Sequence, residues 1–127
     1  MKYKTIKEHH LFDKTFHRGE RFGGKFVSCY VLRDYAAKRL KAANPEKEYY
    51  NRFGVSVGKK VGNAVARSRV KRVLRAAWWA VEPEVKTGYL VVMAPRPGIL
   101  EAKSTQVAED LHRGFAKLGM LKEENRP

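Results

Sequence analysis

The chain reads as an α/β sandwich in which helices pack on one sheet, and three segments lead to that reading. Phe26 to Leu32 is rich in aromatic and β-branched residues, the composition of a pleated strand. Tyr89 to Ala94 is a short unbroken apolar run, as expected of a central strand buried on both faces. Between them, Asn63 to Val81 repeats apolar residues at helical spacing. The order is helix, strands, helix, strand, helix.

The first helix is expected from Thr5-Ile6-Lys7-Glu8, which has the spacing of a capping box, and it would end at Gly19 after Arg18. Phe12 and Phe16 are four apart and share a face of it. In the strand that follows, Phe26, Ser28, Tyr30 and Leu32 would point one way and Val27, Cys29 and Val31 the other. Asp34 to Tyr50 is a polar excursion in which Ala36 to Ala43 offers a helical turn or two before Asn44-Pro45-Glu46 breaks it. A second strand covers Arg52 to Val57 and stops at Gly58. Asn63 caps the long helix, which halts before Pro83. After the Tyr89–Ala94 strand and the Pro95–Gly98 loop, Ser104 would cap a last helix. That helix carries Val107, Ala108, Leu111, Phe115 and Leu118 on one stripe.

The chain has 127 residues, 43% of them hydrophobic, which suits one domain over residues 1–121 with a frayed tail at 122–127. Lys and Arg total 27 against 13 Asp and Glu, a formal net charge of +14. Such a balance calls for a polyanion, most often nucleic acid, with an anionic membrane surface as the other option. No segment approaches the roughly 20 apolar residues that span a bilayer, and the N-terminus lacks an apolar signal core. A single cysteine, Cys29, excludes an intramolecular disulfide and a Cys-cluster zinc site.

The charge is concentrated. Ser56 to Ala76 holds seven cationic side chains, and no Asp or Glu occurs from Tyr49 to Val81. With Arg67 at zero and about 100° per residue, Lys71 and Arg75 follow at about 40° and 80°, Ser68 near 100°, Arg72 near 140° and Arg69 near 200°. Ala66, Val70, Val73, Leu74, Ala77 and Val81 fill the opposite arc. Trp79 falls among the cations and Trp78 at their edge; packing is the favoured role for both, with stacking on RNA open to one of them. A merely solvated face mixes signs, since like charges at i and i+4 cost about 0.2–0.5 kcal/mol per pair. A face of one sign points to nucleic acid. Upstream, Gly58-Lys59-Lys60-Val61-Gly62-Asn63 is a basic turn whose backbone amides, with the helix dipole, suit a phosphate. The spacing of a Walker loop is absent.

His9, His10, His17 and His112 make no metal set, and Cys29 reads as a small buried apolar residue. No Ser-His-Asp or Cys-His grouping and no carboxylate pair is legible, so no catalytic side chain and no protein-held metal are expected.

Gly54-Val-Ser-Val-Gly-Lys-Lys-Val-Gly-Asn-Ala-Val-Ala-Arg-Ser-Arg-Val-Lys-Arg-Val-Leu-Arg75 resembles the signature of the protein subunit of bacterial ribonuclease P. Leu11 to Phe16 followed by Gly19 is similar to that family's first helix, Phe26 to Leu32 to its first long strand, and Tyr89 to Pro95 to the strand after the basic helix. The resemblance implies an α-β-β-β-α-β-α fold, helices on a small mixed sheet, with a left-handed βαβ crossover. It implies a bacterial cytoplasmic ribonucleoprotein, an endoribonuclease whose catalyst is the RNA subunit with its bound magnesium. The partners would be that RNA and precursor tRNA, with no membrane and no DNA. The protein would help remove the 5′ leader by gripping RNA and leader.

Carried over by position, Arg67, Ser68, Arg69, Lys71, Arg72 and Arg75 would face the RNA, and Lys59 and Lys60 would hold phosphates at the turn. Phe12, Phe16 and Tyr30 would line a cleft for single-stranded leader, where aromatic faces take unstacked bases with little sequence demand. Ser68 stands where the family has Asn, Gly58 where Ser is common, and the Asp34–Asn51 excursion is longer than usual. A structural RNA binder such as a ribosomal protein is the competing reading. A helix-turn-helix DNA reader is weaker, because a strand and glycine turn precede the basic helix.

Overall fold

The computed structural model describes residues 4–6, 9–35 and 51–122. In chain order the strands and helices are β1 (Lys4–Thr5), α1 (His9–Arg18), β2 (Glu20–Gly23), β3 (Val27–Arg33), β4 (Arg52–Val55), α2 (Ala64–Val81), β5 (Tyr89–Pro95) and α3 (Ser104–Lys117). The strands form one mixed sheet in the order β1-β4-β5-β3-β2. β1, β4 and β5 run parallel to one another, while β5, β3 and β2 pair antiparallel. Leaving aside the two-residue β1, the elements run α-β-β-β-α-β-α along the chain. The β4–α2–β5 connection joins neighbouring parallel strands and is the unit to which the expected crossover applies.

The alternation expected for β3 decides the layers. Val27, Cys29 and Val31 are buried, and by register they share a face with Phe22, Val91, Met93 and Phe53. That face packs under α2 and α3 through Val70, Leu74, Ala77, Trp78, Val107, Leu111 and Phe115. Trp78 stacks on Phe53 at 5.5 Å and leans on Phe115 at 5.9 Å, so one indole joins sheet and both helices. The opposite face carries α1, which packs on β3 and β5. The helices therefore cover both faces of the sheet.

Three expectations about segment ends are corrected. Thr5 does not cap α1: it pairs with Phe53 as part of β1, and the Ile6 amide continues the pairing by donating to the Phe53 carbonyl. That pairing takes up the backbone which a cap would have used. Ser104 is the first residue of α3 rather than its cap. The cap is Lys103, whose amide donates to the Gln106 side chain at 2.9 Å. Lys122 is not frayed, since its amide donates to the Glu84 carbonyl beside the Val85–Leu121 bridge. The helical turn expected at Ala36–Ala43 lies outside the described residues, as does the rest of the tail. Both ends of the excursion are pinned: Asp34 meets Arg52, while Asn51 accepts from the Tyr89 amide and donates to the Lys86 carbonyl.

The short β2 escaped the periodicity because only Phe22 in it is buried. A four-residue edge strand with one inward side chain has no alternation to read.

Candidate nucleic-acid interface

Helix α2 begins where the sequence places it. The Asn63 side chain accepts from the Ala66 amide at 2.9 Å and satisfies one of the open amides of the first turn. Val70, Leu74, Ala77, Trp78 and Val81 are buried as its inner seam. Ser68, Arg69, Arg72 and Arg75 are exposed on the outer face, while Arg67 and Lys71 flank the seam half-buried. Arg67 Nη1 donates to the Gly62 carbonyl at 2.8 Å, and Arg69 Nη1 to the Leu100 carbonyl at 2.6 Å. Both guanidiniums thus brace loops while keeping further donors for a ligand. Trp78 is buried and Trp79 is 52% exposed among the cations, which separates the two tryptophans.

Lys59 and Lys60 form a single 3-10 turn with Val61 and are exposed. Gly62 follows with φ of 146°, a conformation that favours glycine and turns the chain into α2. The basic turn and the one-sign helix face are therefore contiguous.

On the other side of the sheet, Phe12, Phe16 and Tyr30 come together. Phe12 and Phe16 lie 5.8 Å apart, and Phe16 lies 4.5 Å from Tyr30. All three are half-buried. Arg21, Tyr30, Val92 and Gly54 form one row across this face. Phe12 lies over Gly54, where a Cβ would stand 2.8 Å from its ring. Gly54 is what lets α1 sit low enough to bring Phe16 onto Tyr30.

A family model described as Ribonuclease P matches residues 1–119. The chain belongs to the ribonuclease P protein family. It is 33% identical over 121 residues to the "Ribonuclease P protein component" of Oceanobacillus iheyensis, covering 95% of this chain and 91% of that protein. It is 31% identical over 126 residues to the protein of the same name from Geobacillus kaustophilus, covering 99% and 94%. A solved structure of the Staphylococcus aureus RNase P protein superposes with a TM-score of 0.72 at 19% identity, covering 95% of this chain and all of that one. The Thermotoga maritima RNase P protein gives 0.64 at 19% identity, covering 89% and 94%. At those identities the likeness concerns the ribonuclease P protein fold, and the fold is shared.

Two groups near these aromatic and basic surfaces were not legible in the sequence as site residues. Arg21 lies in the short β2, with its guanidinium carbon 5.9 Å from the centre of the Tyr30 ring. Arg96 sits in the Pro-Arg-Pro-Gly loop, which reads from sequence only as a turn, and it lines a cavity of about 450 Å³ together with Lys60. Cys29 plays no part at this surface: it is buried, and burial pushes its thiol pKa up, keeping it neutral. Among the described residues no helix is long and apolar enough to cross a membrane.

Proposed function

We propose that the chain is the protein subunit of a ribonuclease P ribonucleoprotein and assists endonucleolytic removal of the 5′ leader from precursor tRNA. The observation that carries this reading is the family match over residues 1–119. The RNA subunit is the catalyst, and the magnesium the reaction uses is held by that RNA in the bacterial cytoplasm. The protein supplies charge and position.

The one-sign face of α2, with the turn at Lys59 and Lys60, binds RNA. Seven cations confined to Ser56–Ala76 release counterions when they meet phosphates, which gives affinity without base recognition. Arg67, Ser68, Arg69, Lys71, Arg72 and Arg75 are the helix positions that take part. The half-buried, clustered rings of Phe12, Phe16 and Tyr30 take bases of the single-stranded leader. Leaders differ in sequence, and stacking tolerates that.

Reconstitution tests the reading. The protein is mixed with a bacterial ribonuclease P RNA and precursor tRNA at low magnesium, where repulsion between the RNAs is poorly screened. Cleavage faster than with RNA alone is the expected result. A structural RNA binder would leave the rate unchanged, and that outcome would sink the proposal.

A further inference from the structure

Of the two adjacent tryptophans in α2, the core accounts for only one. Trp78 is fully buried and joins the sheet to α3 through Phe53 and Phe115. Trp79 is 52% exposed. A large aromatic ring left half in water forgoes much of the gain that burial would bring, so its place on the surface calls for a reason. The helix around it supplies one. Ser68, Arg72, Arg75 and Trp79 stand at i, i+4, i+7 and i+11 of α2 and fall within an arc of about 60°. All four are exposed. The stripe is about 16 Å long, and Arg75 precedes the ring by about one turn, or 6 Å. Ala76 and Ala80, the small residues beside Trp79, are exposed as well. Glu82 is the first acid after the basic run and closes the patch.

We propose that Trp79 stacks on an unpaired base of the ribonuclease P RNA and fixes where α2 sits on it. The proposal rests on the reading of α2 as an RNA-binding face. To cations that are blind to RNA structure it adds a residue that is not. Phosphates line every stretch of RNA, so Arg69, Arg72 and Arg75 gain affinity at any register. A base offers its face only where it is unstacked, at a bulge, a loop or a helix end, and an indole gives it a broad surface to stack on. Arg75, one turn away, lies within the reach of a single nucleotide, so base and phosphate are held together. The stripe carries one sign of charge, which decides between RNA and a second copy of this chain. Two such faces repel each other, whereas a polyanion neutralises the cations. The leader is not the strand concerned, because the cluster of Phe16 and Tyr30 lies with α1 on the opposite face of the sheet.

Fluorescence and binding test it together. The chain has two tryptophans, and with Trp78 buried only Trp79 is open to acrylamide. Titrating the unaltered protein with a bacterial ribonuclease P RNA should quench Trp79 and shield it from acrylamide, and adding precursor tRNA should shield it no further. Trp79→Leu keeps apolar bulk without an aromatic face. It should weaken binding to that RNA roughly 5- to 100-fold, the worth of one stacked base, and Trp79→Phe should recover part of the loss. The salt dependence of the Leu variant should match wild type, since a ring releases no counterions. A fully paired RNA, which offers no base face along its length, should bind the Leu variant and wild type equally. Acrylamide access that persists in the complex, or shielding that appears only with precursor tRNA, would overturn the proposal. So would an unchanged affinity of Trp79→Leu, equal losses for Leu and Phe, or an equal loss on paired RNA. The fluorescence arm needs no variant and decides the matter even if one folds poorly. Arg72→Ala separates the proposal from the reading beneath it. If that variant keeps wild-type affinity and salt slope, the RNA-binding reading of α2 falls. If it lowers both while Trp79→Leu changes nothing, only the stacking falls.

Discussion

The ring centre of Phe16 lies 4.5 Å from that of Tyr30, so α1 and β3 join in one half-buried aromatic cluster. In the proposed cleft, Phe16 would offer a base a stacking surface worth about 1–3 kcal/mol. Phe16→Ala should therefore weaken holoenzyme binding of leader-bearing tRNA by about that amount and spare mature tRNA. Titrations of the two tRNAs check this, and equal losses would return Phe16 to a purely structural role.

The outer face of α2 should reveal itself through salt. Arg72→Ala and Arg75→Ala remove exposed cations from the middle of that face. They report on RNA binding more cleanly than Arg67, whose guanidinium also holds the Gly62 carbonyl. Each substitution should lower the slope of log affinity against log salt by about 0.7–0.9 for every phosphate left unneutralised. Slopes identical to wild type would place the RNA elsewhere.

The adjacent tryptophans should separate in stability. Trp78 is buried between Phe53 and Phe115, and its Nε1 has no hydrogen-bond partner among the described residues. Trp78→Ala should cost about 3–5 kcal/mol, and Trp78→Phe less, because the unpartnered donor leaves with the indole. Trp79→Ala should cost under about 1 kcal/mol. Urea denaturation measures all three, and a Trp79 variant as unstable as the Trp78 one would contradict the packing.

Asp34 and Arg52 join the two ends of the polar excursion through bonds of 2.7 and 3.0 Å, with Asp34 almost wholly buried. Removing either partner leaves a desolvated charge, so Asp34→Ala or Arg52→Ala should cost about 3–5 kcal/mol. The double variant should lose less than the sum. Additive losses in the double-mutant cycle would show the pair to be uncoupled.

Cys29 is inaccessible, and its thiol pKa is raised above the ordinary 9.0. A maleimide should label it only on unfolding. A raised pKa means that the unfolded chain loses this proton first, so the thiol's contribution to stability is intact below about pH 9 and falls as pH rises further. Cys29→Ala should flatten that alkaline decline relative to wild type. Rapid native labelling would show that the strand opens.

Local chemistry made much of this molecule readable. The Asn63 cap, the inner seam of α2, the alternation in β3 and the apolar β5 all follow from spacing within a few residues, and spacing is a property of the chain. The cap expected at Thr5 failed because a pairing with Phe53, far along the chain, competes for the same backbone, and no local pattern records it. β2 was missed because a single buried residue has no period.

The sequence by itself determined the one-sign basic helix, its basic turn and the family, since a one-sign charge run and a long motif need no neighbours to be read. Only the tertiary structure decided which tryptophan is buried and that α1 takes the face opposite α2. Those relations depend on strand register and layer assignment, and register is set by distant pairings rather than by any local preference.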